Sequence, residues 1–245
     1  MIDIHCHILP GVDDGPKSWD VSTEMCRMAA ADGITHIVAT PHSNDRYSYD
    51  RAAHAASLNR LRELAGPTPE LTLGCDFHLS YDNLQEVLNT PERYTIENSQ
   101  YLLVELSDYS IPAQIGDCFL KLGDCGVTAI ITHPERNTIL RQNPQRVLEW
   151  IELGCLVQVT ANSLTGFWGQ RVARVAAWLL EREAVHILAS DAHDTQNRVP
   201  KLAQARDLVA RALGHDVAHA LVEANPRAIV SGQPLPYLPK PVLRS

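Results

Sequence analysis

Two histidines alternate with a cysteine in His5-Cys6-His7, at the end of an apolar run. Side chains on a strand alternate between faces, so both imidazoles fall on one side and Cys6 on the other. Two imidazoles at that spacing can share one cation, although such a pair alone is equally a surface accident. An acidic turn, Asp13-Asp14-Gly15, follows. Further along come Thr40-Pro41-His42, Gly74-Cys75-Asp76, Val104-Glu105, Thr132-His133-Pro134-Glu135-Arg136 and Ser190-Asp191-Ala192-His193. A carboxylate in the run YLLVEL, or just after HILAS, is costly to bury unless it is paired or holds a metal. One satisfied core acid would be unremarkable; polar residues ending one apolar run after another are not coincidence.

The candidate ligands are His5, His7, Asp14, His42, Asp76, Glu105, His133, Asp191 and His193. They are nitrogen and oxygen donors without a thiolate, which favours manganese, iron or zinc in a working site over a structural zinc–cysteine site. Nine ligands exceed the needs of one ion; two or three ions fit if one carboxylate bridges. Such clusters bind phosphate oxygens, generate hydroxide and stabilise both attacking and leaving oxygens. The same ligands also serve amide or ester hydrolysis. Arg136 and Arg198 tip the balance toward phosphate, because guanidinium binds phosphate oxygens bidentately. Either arginine is otherwise an ordinary exposed loop residue.

Other histidines act as controls. His36 and His186 begin their apolar runs and belong at the opposite rim, as structural residues. His54, His215 and His219 fall on helical stretches. His78, two residues past Asp76, is placed to line the mouth on the substrate side.

Seven apolar runs must position this chemistry: 2–6, 36–40, 71–77, 101–106, 128–132, 156–161 and 186–190. Near-continuous apolar runs suit strands buried on both faces, as in parallel sheets. Helical periodicity occupies 18–32, with Ser18 as N-cap, then 50–65, 112–125, 144–153, 169–183 and 200–232. The first strongly polar residues after the runs are His7, His42, Asp76, Glu105, His133, Asn162 and Asp191, spaced 28 to 35 residues apart. Each step is the size of one strand–helix unit. Chemistry at the same end of every strand is the habit of barrels, whose loops converge on one mouth. The pattern predicts a (β/α)7 distorted TIM-like barrel over residues 1–245, without a linker, and a Pro-rich peripheral tail at 233–245.

The net charge of −8 argues against nucleic-acid binding, which needs a basic face. No apolar run reaches the ~18 residues of a membrane span, so no membrane insertion is expected. None of the six cysteines forms a CxxC pair. Buried, reduced thiols and a cytoplasmic setting are expected.

With those residues in hand, the sequence resembles the polymerase-and-histidinol-phosphatase (PHP) superfamily. Within it the chain is most similar to bacterial manganese-dependent protein-tyrosine phosphatases of capsule and exopolysaccharide operons. The resemblance runs from Met1 to about Leu213. It rests on MIDIHCHILPGVDDGPKSWD, GITHIVATPH, YLLVELS, IITHPERN, LVQVTANSLTGFWG and HILASDAHDTQNRVP. It implies a PHP-type barrel with three metal ions, Mn2+ foremost. One would be held by His5, His7 and Asp191, with Asp76 bridging to a second on Glu105 and His133. The third would sit on Asp14, His42 and His193, with Arg136 and Arg198 near the phosphate. It further implies direct attack of metal-activated hydroxide on phosphotyrosine, with no phosphocysteine. A membrane-associated bacterial tyrosine kinase would be the client. The family usually carries Glu where this chain has Asp76, one methylene shorter. A small-molecule phosphomonoesterase of the histidinol-phosphatase type needs the same metals and is the alternative.

Overall fold

The computed structural model describes residues 1–241. Its strands are β1 (Ile2–Cys6), β2 (His36–Ala39), β3 (His42–Ser43), β4 (Glu70–Leu73), β5 (Asp76–His78), β6 (Tyr101–Glu105), β7 (Thr128–Thr132), β8 (Leu156–Thr160) and β9 (Ile187–Ala189). All pairs are parallel, in the orders β1-β2-β4 and β3-β5-β6-β7-β8-β9. β3 prolongs the line of β2, and β5 that of β4. Seven strand lines therefore stand in chain order, as expected.

The sequence predicts strands over 36–40 and 71–77; the structure keeps the first as β2, adds the short β3 beyond it, and divides the second into β4 and β5. Pro41 has no N–H to give the ladder. Opposite it, a Cβ on Gly74 would meet the Ile96 and Val38 side chains at 3.0 and 3.1 Å. Pairing crosses the break through Gly74 N–H to Ala39 O (2.8 Å) and Asp76 N–H to Pro41 O (3.1 Å).

The two ends of the series meet at their C-terminal tips. Asp191 N–H donates to His5 O and His7 N–H to Ala192 O, each at 2.8 Å. Beneath them the buried Asp3 carboxylate accepts from Ser190 N–H and from its hydroxyl. Burial outweighs those bonds and pushes the Asp3 carboxyl up to about 6. The arrangement is the expected (β/α)7 barrel in distorted form.

The flanking helices are α1 (Trp19–Ala31), α2 (Arg51–Ala65), α3 (Tyr81–Asn89), α4 (Ile115–Asp124), α5 (Gln145–Glu152), α6 (Ala161–Leu164), α7 (Gln170–Glu181), α8 (Ala203–Leu213), α9 (His215–His219) and α10 (Asn225–Val230). The Ser18 side chain caps α1 by accepting from Val21 N–H. α3 escapes the periodicity because it is short. Its signals are the Ser80/Asn83 capping box and the buried pair Leu84 and Val87, spaced three apart on one face. No helix among the described residues is long and apolar enough to cross a membrane.

Two apolar layers result. The larger joins outward strand residues such as Ile37, Leu102, Ile131 and Leu188 to helix residues such as Met25, Leu61, Phe119 and Leu179. The smaller, with Ile4, Val38, Tyr101, Leu103, Ile130, Leu156 and Ile187, comes almost wholly from strands and fills the inner face. The tail docks under this inner layer rather than hanging free. Leu235 packs on it, and Asn225 Nδ2 donates to both His186 O (2.9 Å) and Tyr237 O (2.7 Å). Residues 242–245 of the predicted tail lie outside the described residues.

His36 and His186 are both buried at the strand starts, away from the site residues, as predicted. Val157 N–H donates to His186 Nδ1 (3.1 Å), and burial lowers its pKa from 6.5 to about 4. The fold holds this ring neutral where an unfolded chain would take up a proton. Its contribution is complete above about pH 6.5 and is lost as pH falls toward 4, about 3 kcal/mol in all. In His186→Gln the urea midpoint should therefore fall less steeply between pH 7 and pH 4 than in the wild type. Parallel slopes would show that the ring is not held neutral.

Candidate metal centre

The site is the upward continuation of the inner face. Two-residue steps lead from Val38 through Thr40 to His42, from Tyr101 through Leu103 to Glu105, and from Ile187 through Ala189 to Asp191. In β1 the register with β2 slips between Asp3 and Cys6. Ile4 thereby joins the inner layer, His5 and His7 stand above it, and Cys6 falls into the outer layer. His133 and Asp191 have positive φ, 33° and 51°. A left-handed backbone is uncommon for His and tolerable for Asp, and its retention at a strand end is typical of functional sites. The bonds His133 N–H to Gln158 O (2.9 Å) and Asp191 N–H to His5 O hold both in place.

All nine predicted donors converge. His5 Nε2 lies 3.3 Å from His7 Nε2, 3.5 Å from Asp76 Oδ2 and 3.4 Å from Asp191 Oδ1. His42 stands 3.2 Å from Asp76 and 3.7 Å from Glu105 through Nδ1, and 3.4 Å from Asp14 through Nε2. His193 Nε2 is 3.2 Å from Asp14, and His133 Nε2 is 3.7 Å from Glu105. Four overlapping sets have donor atoms within 4.8 Å of one another: His7, Asp14, His42, His193; His5, His7, Asp76; His5, His133, Asp191; and His42, Asp76, Glu105. His78 is in none of them; it stands part-exposed, 3.6 Å from Glu105.

The donor chemistry fits divalent cations. Both Asp76 oxygens, His42 Nδ1 and His193 Nε2 are buried without a hydrogen-bond partner, a costly state for polar atoms unless a cation meets them. Three of the ring nitrogens are held from behind: His5 Nδ1 by Gln158 Oε1 (2.9 Å), His7 Nδ1 by Asp13 Oδ2 (2.8 Å) and His193 Nδ1 by Asp191 O (3.0 Å). An acceptor at Nδ1 requires the N–H there, which turns the Nε2 lone pair inward. The field of the cluster favours positive charge. Burial opposes charge on His5, but Asp76 and Asp191 push its pKa up to about 9. On His42 burial is outweighed by Asp14 and Asp76, giving about 11. His7 goes the other way, to about 3, through burial and its neighbours His193 and His42.

Asp191 divides its oxygens between two tasks. Oδ1 faces His5, His7 and His193, while Oδ2 takes Arg136 Nη1 and Arg198 Nη2. Despite full burial, the two guanidiniums hold this carboxyl well below the usual range. Both arginines also lie over the Trp168 ring, at 4.3 and 5.6 Å, and its indole N–H donates to Asn162 Oδ1 (2.6 Å). The loop bearing Trp168 is anchored by buried Glu135, which accepts from Thr160 N–H (2.9 Å) and Ser163 Oγ (2.7 Å). A cavity of about 250 Å3 opens here, lined by Glu105, His133, Arg136, Arg141 and Trp168 among others.

Sequence reasoning missed Gln158, Asp13 and Trp168. Gln158 was detectable as the one polar break inside LVQVT, and Asp13 as the neighbour of Asp14. Trp168 carried no signal, because only the fold brings its loop to the arginines.

Seven parallel strand lines with His, Asp and Glu gathered at their C-terminal ends define a barrel-type α/β protein with a candidate metal centre. More narrowly, the chain belongs to the CpsB/CapC family of capsular polysaccharide synthesis, whose family model matches residues 1–231. A putative tyrosine-protein phosphatase CapC of Staphylococcus aureus is 37% identical over 202 residues, covering 81% of this chain and 79% of that one. Tyrosine-protein phosphatase CpsB of Streptococcus pneumoniae is 32% identical over 242 residues, 95% of this chain and 99% of that one. A crystal structure from work on YwqE of Bacillus subtilis and CpsB of S. pneumoniae, described as unique metal-dependent tyrosine phosphatases, superposes with a TM-score of 0.91. It is 31% identical and covers both chains completely.

Asp191→Ala should lower metal content and cut phosphate release at least about a hundredfold. Normal metal content with full turnover would remove Asp191 from the ligand set. Arg136→Ala leaves the Oδ1 side untouched, so KM should rise about tenfold or more while metal content stays normal. Metal loss in that variant would show that the arginine positions Asp191 rather than binding phosphate.

Proposed function

We propose that this chain is a metal-dependent protein-tyrosine phosphatase, one domain throughout, working in the cytoplasm on a phosphotyrosine protein. The observation that carries the reading is the gathering of nine nitrogen and oxygen donors beside two arginines: Asp191 turns Oδ1 to His5 and gives Oδ2 to both Arg136 and Arg198. Relatives bearing the name tyrosine-protein phosphatase support it. Mn2+ is the proposed metal, as three ions. His5, His7, Asp76 and Asp191 would hold one, Asp76, Glu105 and His133 a second, and Asp14, His42 and His193 a third. Bound there, such ions supply Lewis acidity toward phosphate oxygens and activation of water.

The chain's own residues do the rest. Arg136 and Arg198 present guanidinium forks to the non-bridging oxygens, where charge is held in the transition state. Gln158 and Asp13 fix ring orientation behind His5 and His7. Trp168 keeps the two guanidiniums over its face and walls the cavity in which a phenyl ring would lie. A membrane-associated tyrosine kinase is the proposed client, on the resemblance alone.

The test is phosphate release from a phosphotyrosine peptide and from histidinol phosphate by one manganese-loaded preparation, with and without chelator. Chelator-sensitive release from the peptide is the expected result. Release from histidinol phosphate alone would move the chain to the small-molecule branch.

A further inference from the structure

A second cavity, of about 310 Å3, adjoins the catalytic one. It is lined by Thr138, Arg141, Gln142, Arg171, Arg174 and Val175. Arg141 lines both cavities. On α7, Val172 faces the catalytic cavity, and Arg171, Arg174 and Val175 face the second. Residues three and four apart share a helix face. Val172 and Val175 are about 5 Å apart along the axis, the advance of one or two residues of extended peptide.

The charged lining of this second cavity is arginine throughout. Lys and Arg number 21 against 29 Asp and Glu, so carboxylates outnumber the basic side chains. Yet among the described residues none of Arg141, Arg171 and Arg174 has a carboxylate within ion-pair distance. No carboxylate lines the cavity either. Three guanidiniums around one space repel each other, and the arrangement gains most when an anion enters. Guanidinium forks suit carboxylate and phosphate oxygens alike. The catalytic arginines are different: Arg136 and Arg198 already meet Asp191.

We infer that the cavity at Arg141, Arg171 and Arg174 is a subsite for an anionic side chain next to the phosphotyrosine of the same peptide. This rests on the tyrosine-phosphatase reading and specifies which peptides the site favours. The anion is either an acidic residue or a second phosphotyrosine, and both present the same oxygens to the forks. The neutral face of a peptide would leave the three charges unmet.

The test uses three phosphotyrosine peptides differing only at the two flanking positions, which carry Gln, Glu or a second phosphotyrosine. The metal-loaded wild type is compared with Arg171→Gln/Arg174→Gln, whose changes lie on the exposed surface of α7. KM should be about tenfold lower for an anionic flank than for Gln in the wild type, and the double variant should lose that preference. Preference for both anionic flanks identifies a general anion subsite, and preference for the doubly phosphorylated peptide alone identifies a phosphate subsite. Equal KM for all three peptides in the wild type overturns the inference, as does an anion preference that survives in the variant. Failure of the phosphatase reading looks different: no peptide is cleaved, while p-nitrophenyl phosphate is. In that event anisotropy of the same labelled peptides decides the matter. Anion-dependent binding lost in the variant supports the subsite, and equal binding overturns it.

Discussion

Cys6 and Ala192 are bridged although 186 residues separate them, and the candidate centre depends on that junction. His5 and His7 come from one side of it, Asp191 and His193 from the other. The backbone bonds Asp191 to His5 and His7 to Ala192 set the height at which the four side chains face one another. Asp3 pins the junction from below through both donors of Ser190. A slip of one residue would turn every side chain of β1 to the opposite face. The imidazoles would then enter the helix layer, and Cys6 would enter the site. Register at this junction is thus the condition for assembling the donors.

Bringing the donors together creates the second constraint. Asp76, Asp191, His5 and His7 are all essentially inaccessible, and burying isolated charges costs several kcal/mol per ion. Mutual neutralisation offsets this. Asp76 is held well below the carboxylate range, against burial, by His5 and His42. Asp191 is held there by Arg136 and Arg198. The same balance makes the centre a cation receptor. Positive charge is what its carboxylates demand, so a divalent ion adds to folding free energy as well as to chemistry.

The sequence displayed the fold through two periods. Apolar runs about thirty residues apart gave the strand lines, and the polar residue ending each run marked the mouth. Six of the nine candidate donors, His7, His42, Asp76, Glu105, His133 and Asp191, were visible in this way because strand geometry carries position into sequence register; His5, Asp14 and His193 showed instead through their spacing beside them. What stayed hidden depends on contacts across the chain. The slip in β1, which sets Ile4 and His5 on the same side, is visible only against β2. The breaks at Pro41 and Gly74 arise where two strand lines pass each other. Trp168 reaches Arg136 and Arg198 only because buried Glu135 holds the turn after β8.

The cysteines decide between two chemical routes to phosphotyrosine hydrolysis. A covalent route through cysteine needs a thiolate in an accessible, electropositive pocket. Cys6, Cys26, Cys75 and Cys155 are buried, and burial raises the pKa of each. Cys118 and Cys125 stand on α4 and at its end. None of the six lines the catalytic cavity, whose positive charge sits on Arg136 and Arg141 beside His133 and Glu105. Cys6 shows the point most directly. It lies between two candidate ligands in sequence, yet strand alternation turns its sulfur into the outer apolar layer. The register that gathers the imidazoles is therefore the same register that withdraws the nearest nucleophilic sulfur. The candidate site thus offers no cysteine to carry a phosphoryl group.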